Sequence, residues 1–267
     1  MSSPLKTTRT GAVACLTLAR PQVHNAFDDD LVAQLSAALL EIDADPGVRA
    51  VVLTGSGSTY SAGADLDWMR RMAIASAEEN RADALRLATL MRTLNFLSKP
   101  TLARVNGAAY GGGVGLIACC DIAIGVEGAK FALSEVKLGL VPAVISPYVV
   151  AAIGARQARR LFLSGEVFDA AEARRIGLLH SVVPDGELDA ALERQLHWLT
   201  KGGPRAQAEA KMLLQRCAHD SSRNATEVDA VNAALIARLR VSPEGREGVQ
   251  AFLDKRTPRW TGHRERS

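Results

Sequence analysis

The chain has 267 residues, enough for one large domain or one domain with an appendage. Hydrophobic residues make up 48% of it but aromatics only 4%, so Ala, Leu and Val must pack most of a sizeable core. With 32 basic and 29 acidic residues the net charge is +3, a near-balanced surface that argues against a nucleic-acid binder.

Cys15, Cys119, Cys120 and Cys217 show no C-x-x-C spacing, and the adjacent Cys119 and Cys120 do not readily bridge each other. They read as small buried hydrophobes in a reducing compartment. The five histidines form no H-E-x-x-H motif and no Cys/His cluster, so no metal site is expected. No apolar run approaches the ~20 residues of a membrane helix. MSSPLKTTRTG at the N-terminus is basic and free of acids, like a transit peptide, but too short for one. The expectation is a soluble, cytoplasmic protein.

In chain order, Val13 to Arg20 reads as a buried strand. Leu31, Leu35, Ala38, Leu39 and Ile42 recur at helical spacing between Asp28 and Ile42, behind an acidic start. Arg49 to Gly55 is a second strand, leading through a Gly/Ser loop to SAGADL (Ser61 to Leu66) and a helix near Asp65. A long helix is predicted from Ala77 to Leu97, stopped by Lys99-Pro100. Thr101 to Val105 is a third strand, Leu116 to Cys120 a short buried helix, and Asp121 to Val126 a further strand. Beyond Pro147 helices dominate: Tyr148 to Leu163, Asp169 to Ile176, Leu188 to Leu199, Arg205 to Cys217, Asn224 to Leu239 and Glu244 to Lys255. One strand, Leu179 to Val183, interrupts them. Strand–helix alternation in the first part predicts an α/β core.

Between the third strand and the short helix lies YGGGVGLIACCDI, Tyr110 to Ile122. Gly113 to Ala118 fits the dinucleotide fingerprint G-x-G-x-x-A, but NGAAYG separates it from the strand it should follow directly. Close packing of the helix on a neighbour is a second reading. The third is an anion site: a helix starting at Gly112 points unpaired N–H groups and its positive dipole end outward, and glycines leave the backbone open to a ligand. One such N–H makes a weak oxyanion hole, so a second donor is required. SAGADL, another small-residue loop between strand and helix, is the candidate.

These segments together resemble the crotonase, or enoyl-CoA hydratase/isomerase, superfamily. The resemblance runs along the whole chain: RPQVHNAFD (Arg20 to Asp28), SAGADL, KPTLARVNGAAYGGGVGL, SEVKLGLVP and the terminal AFLDKR. It implies an α/β, crotonase-like ββα spiral over residues 1–200 and a helical C-terminal trimerisation region over 201–267, in a homotrimer or dimer of trimers. It also implies an acyl-CoA substrate whose thioester oxygen lies between the N–H groups of Ala62 and Gly112. No metal or redox cofactor is implied, since CoA arrives as part of the substrate. Val23 and His24, with Ala62, Gly63, Ala64 and Asp65, would line the CoA channel. Phe252 and Lys255 match residues that reach a neighbouring subunit's CoA, or else lie on a solvated helix.

The hydratases of the superfamily carry two catalytic glutamates. Glu135 matches the second; Gly115 stands where the first is expected. The missing carboxylate is expected to widen the pocket for a branched acyl chain. One glutamate fits a 3,2-enoyl-CoA isomerase, but SEVKLGLVPAVISPYVV and VSPEGREGVQAFLDKRTPRW most resemble bacterial methylglutaconyl-CoA hydratases. The leading expectation is therefore hydration of a branched, carboxylated enoyl-CoA, with Glu135 as base. Arg70 and Arg71 could meet a distal carboxylate, or be ordinary exposed helix arginines. RNA binding, known for one hydratase of the superfamily, would need a basic helix; Leu85 to Lys99 offers only Arg86, Arg92 and Lys99.

Overall fold

The computed structural model describes residues 3–219 and 224–261. The chain divides into two compact units, 1–195 and 196–267, the division falling five residues before the expected 200/201 boundary and inside a helix.

The first unit is built from turns in which one longer strand, one three-residue strand and a helix follow each other. The elements are β1 (Leu5–Thr10), β2 (Val13–Leu18), α1 (Asp29–Ala44), β3 (Ala50–Gly55), β4 (Thr59–Ser61), α2 (Leu66–Ile74) and α3 (Ala77–Asn95). They continue with β5 (Thr101–Val105), β6 (Ala108–Tyr110), α4 (Gly112–Cys119), β7 (Ile122–Val126), β8 (Lys130–Ala132), α5 (Ser146–Ser164), β9 (Val167–Asp169), α6 (Ala170–Arg175) and β10 (Ser181–Val183). The longer strands, joined at one edge by the three-residue β10, form one sheet, β1-β2-β3-β5-β7-β10, parallel except for the β1–β2 hairpin. The short ones form a second, β4-β6-β8-β9, parallel except at β9. This is the expected ββα spiral.

β3 opens with the apolar run Ala50 to Leu53 because both of its faces are covered; all six of its residues are buried. Leu31, Leu35 and Leu39 of α1 are fully buried and α1 packs on α3, whose Leu90, Met91 and Leu94 face the same core. Strands β4, β6, β8 and β9 left no trace in the sequence reading, because three residues show no periodicity. β1 is an edge strand exposed at five of six positions, so it too lacks an apolar pattern. The long helix expected from Tyr148 is broken at Gly154, whose φ of 76° and ψ of 153° kink α5. Asp121, at the end of the glycine-rich stretch, accepts from Thr101 N and Oγ1 at 2.7 and 2.9 Å and tethers the starts of β5 and β7.

Helix α7 (Leu188–Lys201) crosses into the second unit, which adds α8 (Pro204–His219), α9 (Ala225–Val241) and α10 (Pro243–Leu253). There α8 and α9 flank an apolar concavity lined by Leu213, Leu235, Ile236 and Leu239. None of the described helices is long and apolar enough to cross a membrane.

Candidate active site

Strands β4, β6 and β8 run parallel and adjacent, so the loops that leave their C-terminal ends lie side by side. These loops are Ala62–Asp65, Gly111–Gly113 and Leu133–Glu135. The sheet of short strands thus gathers three segments spread between Ala62 and Glu135 in the chain.

The first loop is held by the segment before α1. His24 and Asn25 both adopt left-handed backbone, φ 53° and 55°, a conformation that Asn and His tolerate better than most residues. The turn aims the His24 carbonyl at Ala62 N, 2.9 Å away, and the Asn25 carbonyl at Ser61 Oγ, 2.9 Å away. The Asn25 side chain, fully buried, donates to the carbonyls of Ser56 and Thr59. Arg20 then ties the two flanking helices together. Its guanidinium reaches Asp28 at 3.0 Å and Asp65 at 2.9 Å, the N-caps of α1 and α2, and donates to the Ala26 carbonyl. Burial alone would raise the Asp65 pKa, but the N–H groups of Trp68 and Asp67, together with Arg20, hold it below the ordinary carboxylate range. Asp65 is therefore an ionised cap, not a proton donor, and the stability it contributes is lost only as pH falls through that lowered pKa.

The expectation for Ala62 needs correcting. Its N–H is already donated to His24 and is committed inside the protein. Ala64 differs. It pairs with Phe27 in a parallel bridge, in which Phe27 N donates to Gly63 O at 2.7 Å and Asp65 N to Phe27 O at 2.8 Å. That pattern uses the peptides on either side of Ala64 and turns its own N–H away from Phe27, on an exposed residue. Nothing in SAGAD distinguishes the two alanines. Gly63, at φ 83°, reverses the chain between them, and only the fold reveals it.

Gly112 is the first residue of α4, so its N–H has no acceptor within the helix. The preceding Gly111, at φ 49° and ψ −116°, makes the turn and donates to Ala132 O at 3.0 Å. The two loops touch: a Cβ placed on Gly63 would stand 2.8 Å from the Tyr110 carbonyl and 3.7 Å from Gly112 N. Two peptide N–H groups thus leave adjacent loops without a protein acceptor among the described residues.

Glu135 opens a single 3-10 turn, Glu135–Leu138, after β8. Its carboxylate lies against the glycine turn; a Cβ on Gly111 would be 3.1 Å from Oε1. The other oxygen, Oε2, is buried and finds no donor among the described residues, and no ion pair with Lys137 forms. Burial pushes the carboxyl pKa above its ordinary value. A half-buried carboxyl with no cationic partner among the described residues and a raised pKa, beside the glycine turn, is a proton-transfer arrangement.

The expected widening at Gly115 does not occur. Ile145, just before α5 and 3% exposed, fills the place: a Cβ on Gly115 would lie 2.3 Å from Ile145 Cγ2 and 3.3 Å from Met91 Cε. Gly115→Glu is therefore expected to lower the melting temperature. Overpacking costs ~1–3 kcal/mol, against ~1 kcal/mol gained in helix propensity, and the buried charge adds to the cost. Adding Ile145→Ala to the same chain should recover much of the loss, the two changes being non-additive. A Gly115→Glu protein that melts as high as the parent would refute this packing account.

Val23 and His24 lie on the turn before Asn25, His24 exposed and 3.2 Å from Thr59 Oγ1 through Nδ1. Phe252 is 82% exposed and Lys255 has φ 52°; both belong to the second unit, at the end of α10. Arg70 pairs with Asp67, both largely exposed, and Arg71 with Asp29 at 2.9 Å. Of the cations proposed for RNA, Arg86 bonds Asp83 and Lys99 donates to the carbonyls of Asp45 and Val48.

Known proteins sharing this arrangement define its class. Residues 8–263 match the family model described as enoyl-CoA hydratase/isomerase. A putative enoyl-CoA hydratase of Thermus thermophilus is 36% identical over 94% of this chain and 98% of its own. The 2,3-dehydroadipyl-CoA hydratase of Escherichia coli is 32% identical over 97% and 99%. The crystal structure of an enoyl-CoA hydratase from Shewanella pealeana superposes with a TM-score of 0.92 at 43% identity, covering 96% of each chain. The chain belongs to the enoyl-CoA hydratase/isomerase family and has the crotonase fold.

Proposed function

We propose that the protein hydrates the 2,3 double bond of an enoyl-CoA thioester, with Glu135 as the acid/base and the N–H groups of Ala64 and Gly112 as the oxyanion donors. The observation that carries this is the Glu135 carboxyl, its buried Oε2 without a donor among the described residues, beside the glycine turn that presents Gly112 N. In this mechanism the thioester oxygen accepts both N–H bonds. Glu135 takes a proton from water as the water oxygen bonds to C3, and the electron pair of the double bond moves onto the thioester as an enolate. The two donors stabilise the charge as it develops. Glu135 then returns the proton to C2, and the enolate collapses to the 3-hydroxyacyl thioester. All atoms of water end in the product, so no metal or redox cofactor is required.

The substrate we favour is a branched, carboxylated enoyl-CoA such as 3-methylglutaconyl-CoA, as in leucine or acyclic terpene breakdown. The likeness of the Ser134–Val150 segment supports it, as does the dicarboxylic acyl group in the name of the Escherichia coli relative. CoA would lie along Val23, His24 and the Gly63–Ala64 turn, with Phe252 and Lys255 approaching a neighbouring copy's CoA in a homotrimer or dimer of trimers. The exposed apolar concavity between α8 and α9 supports such an assembly.

Isomerisation is the second reading, favoured by one fact: Ile145 occupies the position in which a second carboxylate would stand. Reaction in heavy-oxygen water separates the two. Hydration places the label at C3 of the product; isomerisation incorporates none. Absence of label across a panel of linear, branched and carboxylated enoyl-CoAs, with double-bond migration detected, would replace the first reading by the second.

A further inference from the structure

The geometry points to Phe27 as a positioning residue that sets the spacing of the two oxyanion donors. This inference rests on the oxyanion reading above. Phe27 touches both donor loops with different parts of itself. Its peptide grips the first: N–H to Gly63 O at 2.7 Å and C=O from Asp65 N at 2.8 Å, which is what turns the Ala64 N–H outward. Its ring presses on the second: a Cβ on Gly112 would stand 2.6 Å from Cε2 and 2.9 Å from Cδ2. Gly112 thus lies against the Cδ2–Cε2 side of the ring, with no room for a side chain between them.

The residue itself cannot drift. Phe27 is 5% exposed and packed in the core with Leu31 and Leu35. Its neighbours on both sides, Ala26 through its carbonyl and Asp28 through its carboxylate, are held by Arg20. The same guanidinium holds Asp65 at the far end of the donor loop. One rigid ring therefore lies between the start of α4 and a backbone bridge that fixes Ala64. Donors for a developing oxyanion act through their position, and a displacement of ~1 Å can cost ~10²-fold in rate. A smaller or softer side chain at 27 lets the start of α4 settle and changes the distance between the two N–H groups.

The test uses Phe27→Leu and Gly112→Pro, each bound to an unreactive saturated acyl-CoA. The infrared carbonyl stretch of the bound thioester, compared with the free one, reports polarisation by the donors. A purely structural loss would leave it unmoved in the folded fraction. Phe27→Leu should show a smaller downshift than the parent and a turnover ~10- to 10²-fold lower at nearly unchanged KM. The ring contact further implies that Gly112→Ala is impaired and that Phe27→Leu partly restores it. If Gly112→Pro loses the downshift while Phe27→Leu keeps both downshift and turnover, the positioning role is overturned and the oxyanion reading stands. If Gly112→Pro also keeps the full downshift, the oxyanion reading fails and this inference with it. Should Phe27→Leu not fold by circular dichroism, Phe27→Met, which retains length without rigidity, is read by the same criteria.

Discussion

Glu135→Gln should lower turnover by ~10²–10⁴-fold and, at neutral pH, raise the melting temperature. The first effect follows from losing the one carboxyl that meets the glycine turn. Gln keeps the shape but takes no proton, so acyl-CoA binding should hardly change. The second follows from burial. In the unfolded chain a Glu releases its proton near pH ~4.3; in the folded protein burial raises that pKa. The folded state then binds more protons than the unfolded one between the two values, so it loses stability as pH rises through that window. Gln carries no such penalty. The melting-temperature gain of the variant should therefore be fully present above the raised pKa and narrow as pH falls toward the ordinary carboxylate value. The rate of the parent should fall on its acid side at a pH above that ordinary value, since the base must be ionised. Calorimetry and a pH–rate profile check the two halves. Full activity in Glu135→Gln would remove the single-base mechanism, and a variant less stable than the parent at pH 8 would remove the account of the buried charge.

Gly112→Pro should cost ~10²–10³-fold in turnover by deleting one donor outright. Proline is tolerated at the first position of a helix, but Gly111 before it, at φ 49° and ψ −116°, lies outside the extended region favoured before proline, so its turn must adjust. The added carbon atoms also meet the Phe27 ring. Gly112→Ala supplies the control, because it brings the same Cβ and keeps the N–H. The ratio of turnover between the alanine and proline variants isolates the hydrogen bond. Near-parental turnover in a folded Gly112→Pro protein would show that Gly112 N does no chemistry.

Much of this molecule is legible without its fold. Helix α1 shows itself through Leu31, Leu35 and Leu39 at helical spacing, and β3 through an unbroken apolar run. The start of α4 at Gly112 follows from glycines that leave its first N–H open. Glu135 stands out by likeness of motif. These are local properties: periodicity, capping and backbone freedom are written within a few residues of each other.

What decides the site is not local. Strands β4, β6 and β8 have three residues each, too few for any pattern, yet their parallel pairing places Ala64, Gly112 and Glu135 on neighbouring loops. The choice of Ala64 over Ala62 depends on a bridge to Phe27, 37 residues earlier in the chain. The fate of Gly115 depends on Ile145, which comes from another element and closes a space that the sequence leaves open. Hydrogen-bond direction and packing volume are settled between segments distant in the chain. Local composition and spacing supply the residue types for the chemistry; the packing of distant segments sets which N–H faces outward and which gap is filled.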